Sequence, residues 1–170
     1  MGKNLKKLTL SALLASLTFI FTRFFAIPTA IGGSVNVGDA IVLLSGIILG
    51  PIYGAISAAV GSSLADLLSP FVIYTPATFV IKGIVAIIVA ILFKQLKNID
   101  LKVNIIISSI VAEIAMILGY FIFEAYILKF GVIVAGYEII NNLIQAGTSI
   151  VIVTIMYISL RKSNIINNIK

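Results

Sequence analysis

The sequence has no cysteine, no histidine and no tryptophan, and it carries only 12 basic and 6 acidic side chains in 170 residues. The absence of cysteine excludes disulfides and thiolate metal sites. The absence of histidine removes the commonest general base and the commonest zinc ligand. Charged residues make up 11% of the chain, against about 25% in a soluble domain. A water-exposed surface cannot be built from so few. What fills the sequence instead is apolar: 61% hydrophobic residues and a mean hydropathy of +1.21. This composition fits a bilayer as solvent. The length allows one domain, so residues 1–170 read as a single membrane domain.

Six apolar segments stand out: Leu8 to Ile27, Asp39 to Leu49, Ile52 to Leu68, Pro76 to Phe93, Val103 to Tyr126 and Tyr137 to Leu160. In lipid every backbone group must find an internal partner, which leaves helices or a closed barrel. Barrel strands alternate strictly over about 10 residues, and these runs are longer and do not alternate. The fold class expected is therefore an all-α integral membrane protein with six transmembrane helices. Lys3, Lys6 and Lys7 before the first run resemble the start of a signal peptide. The run is about 20 residues, long enough to span, so it reads as a retained helix. The second segment is short for a bilayer core of about 30 Å. No internal repeat argues for an inverted-repeat transporter.

The net charge of +6 does not point to nucleic acid, because the basic residues sit in short loops between apolar runs. With the N-terminus in the cytoplasm, Lys3, Lys6, Lys7, Lys94, Lys97, Lys102, Arg161, Lys162 and Lys170 fall inside, and the outer loops hold only Lys129. This bias fixes an N-in, C-in orientation by the positive-inside rule.

Small residues mark close helix contacts. Gly54, Ala58, Gly61 and Ala65 share one face of the third helix, which reads as internal packing. Ser11, Ala15, Thr18 and Thr22 share a face of the first helix, which either packs internally or docks a partner. Polar residues inside the bilayer are costly and mark function. Thr78 and Lys82 share a face of the fourth helix, and Lys82 lies about 9 Å below the helix start. The fifth carries Glu113, Met116, Tyr120 and Glu124 in one stripe, and the sixth Glu138, Asn142, Gln145 and Ser149. All three stripes lie in the outer half or the middle, and the inner halves read as aliphatic. A cavity open to the outside explains this bias. The competing explanation is a direct Lys82–Glu113 pair with Asn142 and Gln145 as interhelical hydrogen bonds.

Other polar positions have local readings. Asp39, after Gly38, reads as a helix cap. Asp66, before Ser69-Pro70, ties down the outer loop, and Arg23 snorkels or meets the ligand. Tyr74, Thr75 and Asn36 are placed to close over a ligand. Nothing reads as catalytic. There is no GxxxxGK[ST] phosphate-binding sequence, and Glu113 and Glu124 stand about 16 Å apart along their helix, too far for joint acid–base work. No cofactor is called for.

The pieces Gly38-Asp39, Leu49-Gly50-Pro51, Gly54-Ala55, Gly61, Asp66-Leu67-Leu68, Pro76-Ala77-Thr78-Phe79, Ile81-Lys82-Gly83, Glu113 with Met116, Gly119-Tyr120-Phe121 and Glu124, and Asn142 with Gln145 resemble the S components of energy-coupling factor (ECF) vitamin transporters. The resemblance covers nearly the whole chain. It implies a six-helix subunit of the bacterial cytoplasmic membrane that binds one micronutrient on its outer face. It also implies a membrane scaffold subunit and two ATPases as partners. Family members dock through AxxxA spacing on the first helix. This chain offers Ser11xxxAla15 and Ala12xxxSer16 instead, so Ser11, Ala12, Ala15 and Ser16 are the candidate docking residues. The subgroup is similar to members assigned to riboflavin, pyridoxine or hydroxymethylpyrimidine. Chemistry favours pyridoxine: Glu113 for its ring nitrogen, Lys82 for its phenolate, Asn142 and Gln145 for its hydroxymethyl arms, and Tyr120 for stacking. Thr78, Tyr74 and Asn36 complete the expected site. Hydroxymethylpyrimidine and then riboflavin follow. A stand-alone channel is the reading from another class, and it would need a polar path across the whole bilayer.

Single-cysteine variants are clean probes here, since the chain has no thiol of its own. A cysteine at Ser34 is expected to react with a membrane-impermeant reagent on intact cells, and one at Asn98 is not. Labelling of position 98 from outside would overturn the orientation.

Overall fold

Proline and glycine set the helix boundaries. The computed structural model describes residues 3–29 and 33–163. Helix α1 (Lys3–Phe24) leads through two short paired strands, β1 (Ile27–Pro28) and β2 (Ser34–Val35), to α2 (Gly38–Leu49). Gly50 adopts φ 80° and is the one-residue link to α3 (Pro51–Leu67). A left-handed φ is cheap only for glycine, and Pro51 then supplies the helical φ of a first turn. Pro76 does the same for α4 (Thr75–Gln95), which follows a single 3-10 turn at Val72–Tyr74. Asp100 caps α5 (Leu101–Ile122), its Oδ1 accepting from the backbone N–H groups of Lys102 at 2.9 Å and Val103 at 3.2 Å. Helix α5 runs into one π-helical turn, Phe123–Ile127, and α6 (Val132–Lys162) closes the bundle.

Helix α2 is the hub. Of its 12 residues only Ile48 escapes full burial, and it packs against α1, α3, α4 and α6. The core runs through Ile41, Leu44, Val85, Val89, Met116 and Val153. The outward faces are as apolar as the inside: Leu13, Ile56, Ile84, Ile107, Leu118 and Val151 are all exposed. That distribution suits lipid and no aqueous surface.

Of the six expected spans, four helical stretches are long and apolar enough to cross a bilayer: Leu5–Phe24, Val72–Gln95, Leu101–Ile127 and Val132–Lys162. At 12 residues, α2 reaches about 18 Å against a core of about 30 Å. Its neighbours surround it, so its length need not match the lipid.

Three sequence expectations change. The first helix ends at Phe24 rather than Ile27, because Ile27 and Pro28 pair with Val35 and Ser34 in an antiparallel ribbon. The sixth begins at Val132 rather than Tyr137. The inner halves are not purely aliphatic: Asn104, Ser108 and Ser109 are buried near the start of α5. Asn104 Nδ2 donates to the carbonyls of Phe93 at 3.0 Å and Leu96 at 2.9 Å, tying α5 to the end of α4. Lys170 lies outside the described residues.

Close approach explains the small residues. A Cβ on Gly46 would stand 2.5 Å from the Ala86 carbonyl oxygen of α4, and backbone cannot step aside. Gly61 of α3 likewise sits against the Ala15 carbonyl of α1. By contrast a Cβ on Gly136, in α6, meets nothing within 4 Å. Gly46→Ala is therefore expected to cost about 1–3 kcal/mol through overpacking. Gly136→Ala is expected to be neutral or stabilising by up to about 1 kcal/mol. Thermal unfolding in detergent checks both, and equal effects would contradict this packing.

Candidate binding site

At the ribbon end of the bundle the polar stripes of α4, α5 and α6 converge. Lys82 Nζ lies 2.6 Å from Asp39 Oδ1, with both side chains almost fully buried. Gln145 Nε2 donates to Asp39 Oδ2 at 2.6 Å, and its Oε1 accepts from the Asn36 backbone N–H at 2.8 Å. Asn36 Oδ1 accepts from the Gly38 N–H at 2.9 Å. These bonds join α4, α2, α6 and the end of the ribbon into one floor.

Above the floor is a cleft lined by Thr22, Gly33, Ser34, Asn36, Asp66, Phe71, Tyr74, Thr78, Lys82, Tyr120, Glu124, Glu138, Asn142 and Gln145. Its unfilled space is about 470 Å³ including the open mouth, of which about 40 Å³ admits the centre of a water molecule. It is narrow: at about 10–15 Å³ per water, the inner part holds a few. Thr78 Oγ1 donates to Asp66 Oδ2 and lies 2.9 Å from the Tyr120 hydroxyl. Lys82 Nζ sits 5.1 Å from the centre of the Tyr120 ring, within cation–π range. Tyr74 donates to Glu124 Oε1 at 3.2 Å and packs on Tyr120 with ring centres 6.3 Å apart.

Seven of the eight expected ligand-binding residues line the cleft: Lys82, Asn142, Gln145, Tyr120, Thr78, Tyr74 and Asn36. Glu113 does not line it. It is 1% exposed, and neither carboxyl oxygen has a hydrogen-bond partner among the described residues. The Lys82–Glu113 pair of the competing explanation is not formed; the partner of Lys82 is Asp39. Asp39 makes no side-chain cap, although it stands in the first turn of α2. Gln145 has both ends of its amide engaged with protein, whereas Asn142 makes no side-chain hydrogen bond among the described residues. Arg23 is half-buried and donates to the Leu68 carbonyl at 3.1 Å. Asp66 accepts from Thr78 at the cleft wall while its backbone carbonyl receives Ser69.

Asp39, Asp66, Glu124 and Glu138 are the residues that sequence reasoning left out of the site. Glu124 and Glu138 were visible as members of the polar stripes. Asp39 carried no such signal, because its partners lie on distant helices.

The expected docking face is divided. Ser11 is buried and donates to the Tyr53 carbonyl at 3.1 Å, and Ala15 faces Gly61, so these two pack on α3. Ala12 and Ser16 are exposed on the other side of α1.

Six helices, with α2 buried among its neighbours and a polar cleft at one end, make up the fold. The chain superposes on a solved structure of the S component of a bacterial ECF transporter with a TM-score of 0.73, covering 94% of this chain and 97% of that one at 21% identity. Residues 2–162 match the family model described as ECF-type riboflavin transporter, S component, and the chain belongs to that family. It is also 33% identical over 134 residues to a Pyrococcus woesei protein described as an uncharacterized protein in gap 3'region, a match spanning 78% of this chain and 86% of that one. The chain is thus a multi-pass membrane protein of a transporter class, and that class is not an enzyme class.

Asp39→Asn removes the only charge that, among the described residues, compensates Lys82 at bonding distance. It is expected to destabilise by about 3–5 kcal/mol, and Asp39→Leu combined with Lys82→Met should recover most of the loss. Glu113→Gln, which breaks no hydrogen bond, is expected to leave stability unchanged or raised. A double-mutant cycle in detergent checks this; Glu113→Gln as damaging as Asp39→Asn would restore the Lys82–Glu113 pairing.

Proposed function

We propose that this chain is the substrate-binding subunit of an ECF-type vitamin importer in the cell membrane, in an N-in, C-in orientation with the cleft facing out. The observation that carries the reading is the shape of the polar region. It is a cleft with a hydrogen-bonded floor, and beneath the floor lies the apolar core of Ile41, Leu44, Val85, Val89, Met116 and Val153. A binding site needs such a floor, and a channel needs its absence.

The proposed ligand is a small single-ring vitamin, pyridoxine first and hydroxymethylpyrimidine second. A narrow cleft walled by carboxyl, amide, hydroxyl and phenol groups suits a small polar ring. The walls must still part to admit one. Riboflavin, the compound in the family description, is the larger alternative. Lys82 and Gln145 hold the floor, and Asn142, Tyr120, Tyr74 and Thr78 meet the ligand. Transport is powered by partners: a membrane scaffold subunit and two ATPases. The exposed Ala12 and Ser16 of α1 form the proposed docking strip.

Native mass spectrometry of the purified chain is expected to find a co-purified vitamin-sized molecule. Ala12→Trp or Ser16→Trp should abolish uptake by the full complex while leaving ligand binding by the isolated subunit intact. Ala15→Trp should damage the isolated subunit as well, because Gly61 stands against it. Loss of binding in the Ala12 and Ser16 variants would rule out this strip as a docking surface.

A further inference from the structure

The cleft wall is electrically unbalanced. Its lining includes three carboxyl groups, Asp66, Glu124 and Glu138, and one cation, Lys82. That cation is already held by a fourth carboxyl, Asp39, at 2.6 Å. Asp66 is engaged by Thr78. Glu124 and Glu138 are left with no positive partner among the described residues.

Both are buried, at 3% and 4% exposure. Each uses one oxygen within the protein: Glu124 Oε1 accepts from Tyr74, and Glu138 Oε2 accepts from Asn141 Nδ2 at 3.1 Å. Each keeps the other oxygen, Glu124 Oε2 and Glu138 Oε1, buried without a partner among the described residues. The nearby basic side chains turn elsewhere: Arg23 is spent on the Leu68 carbonyl and Lys129 is exposed.

Backbone geometry places one of the pair. Glu124 lies in the π-helical turn, where the Leu128 N–H donates to the Phe123 carbonyl at 2.9 Å. Such turns re-aim side chains and cluster at functional sites. Glu138 comes from the second turn of α6 and lines the same cleft. A buried carboxylate without a partner is costly in a low dielectric, so two facing one cleft call for positive charge from outside. Among the described residues no three acidic groups lie close enough to hold a metal ion. An organic cation with N–H donors would suit both unpartnered oxygens, and Tyr74 and Phe71 in the same wall supply aromatic rings that favour one.

We propose that Glu124 and Glu138 are the recognition pair for a protonated nitrogen heterocycle, each accepting a charge-assisted hydrogen bond on its free oxygen. The proposal rests on the reading of this chain as a vitamin-binding subunit and names the charge of the ligand. It moves ring-nitrogen recognition from Glu113 to the cleft wall.

Calorimetry on the purified full chain with pyridoxine, hydroxymethylpyrimidine and riboflavin tests it. The first two carry a basic ring nitrogen, and the flavin ring system is neutral. At least one basic compound is expected to bind, and more tightly than riboflavin. Glu124→Gln and Glu138→Gln should each weaken that binding about 10- to 100-fold, the range for a hydrogen bond to a charged group, with riboflavin little affected. A carbocyclic pyridoxine analogue, with CH in place of the ring nitrogen, checks the same point on wild type and needs no variant to fold; it should lose binding similarly. Riboflavin binding as well as the basic rings, or unchanged affinity in both variants, overturns the charge assignment and leaves the vitamin-binding reading standing. No binding of any of the three, with no co-purified small molecule, overturns both.

Discussion

A lysine ammonium inside an apolar helix bundle is tolerable only where a carboxylate meets it, and Asp39 meets Lys82 at 2.6 Å. The cleft is organised around this contact. Asp39 stands in the first turn of α2, where the positive end of the helix dipole also favours its charge. Its second oxygen takes the Gln145 amide from α6, whose carbonyl end takes the Asn36 N–H. One carboxylate thus sets the relative register of α2, α4 and α6 and draws in the ribbon. A buried ion pair is seldom worth more than well-packed apolar side chains. Its contribution here is positional, because the bonds that satisfy it are the same bonds that build the floor.

The apolar runs, the Gly50-Pro51 break and the stripes of α4, α5 and α6 were legible in the sequence, because each depends on neighbours within one helix or one turn. The pairing of Lys82 was not. Lys82 and Glu113 lie on consecutive helices, and consecutive helices are the natural first guess. The Lys82 ammonium meets Asp39 of α2 instead, while Thr78 on the same face meets Asp66 of α3 and Tyr120 of α5. Asp39 follows a glycine at a helix start, which is the pattern of a capping residue, and its true partner Gln145 is 106 positions away. The ribbon consists of strands two residues long, too short for any alternation to show. The π turn at Phe123–Ile127 has no composition of its own, so the aim of Glu124 could not be read either.

Small residues were correctly seen as contact markers, but spacing alone did not say which contact. Ser11 and Ala15 recur at the same interval as Ala12 and Ser16, and one position of rotation on a helix separates them by about 100°. That rotation sends the first pair into α3 and the second pair outward. Gly46 and Gly54 bring α2 close to α4 and α3, and this closeness lets a 12-residue helix remain wrapped by longer ones. A short central helix in turn leaves room at its Gly38 end for the cleft.

The distribution of polarity along the bundle separates capture from conduction. At the lysine-rich end, Asn104 spends its donors on the Phe93 and Leu96 carbonyls, and Ser108 donates to Asn104 Oδ1 at 3.0 Å. That end is polar and largely self-satisfied: of Asn104, Ser108 and Ser109, Ser109 Oγ alone is left without a partner among the described residues. At the ribbon end, Glu124 Oε2 and Glu138 Oε1 have no hydrogen-bond partner among the described residues, and both residues line the cleft. Between the two lies an apolar layer of side chains with almost no solvent exposure. In the proposed reading, Glu124 and Glu138 hold the solute and the apolar layer stops it. To pass that layer the helices around α2 must move as bodies, because closely packed cores switch between discrete arrangements and do not deform continuously. The chain has no GxxxxGK[ST] nucleotide-binding sequence, and the partner proposed above would supply the work of such a movement. A subunit that binds tightly on one side and relies on another protein for release is the arrangement these packing and polarity patterns fit.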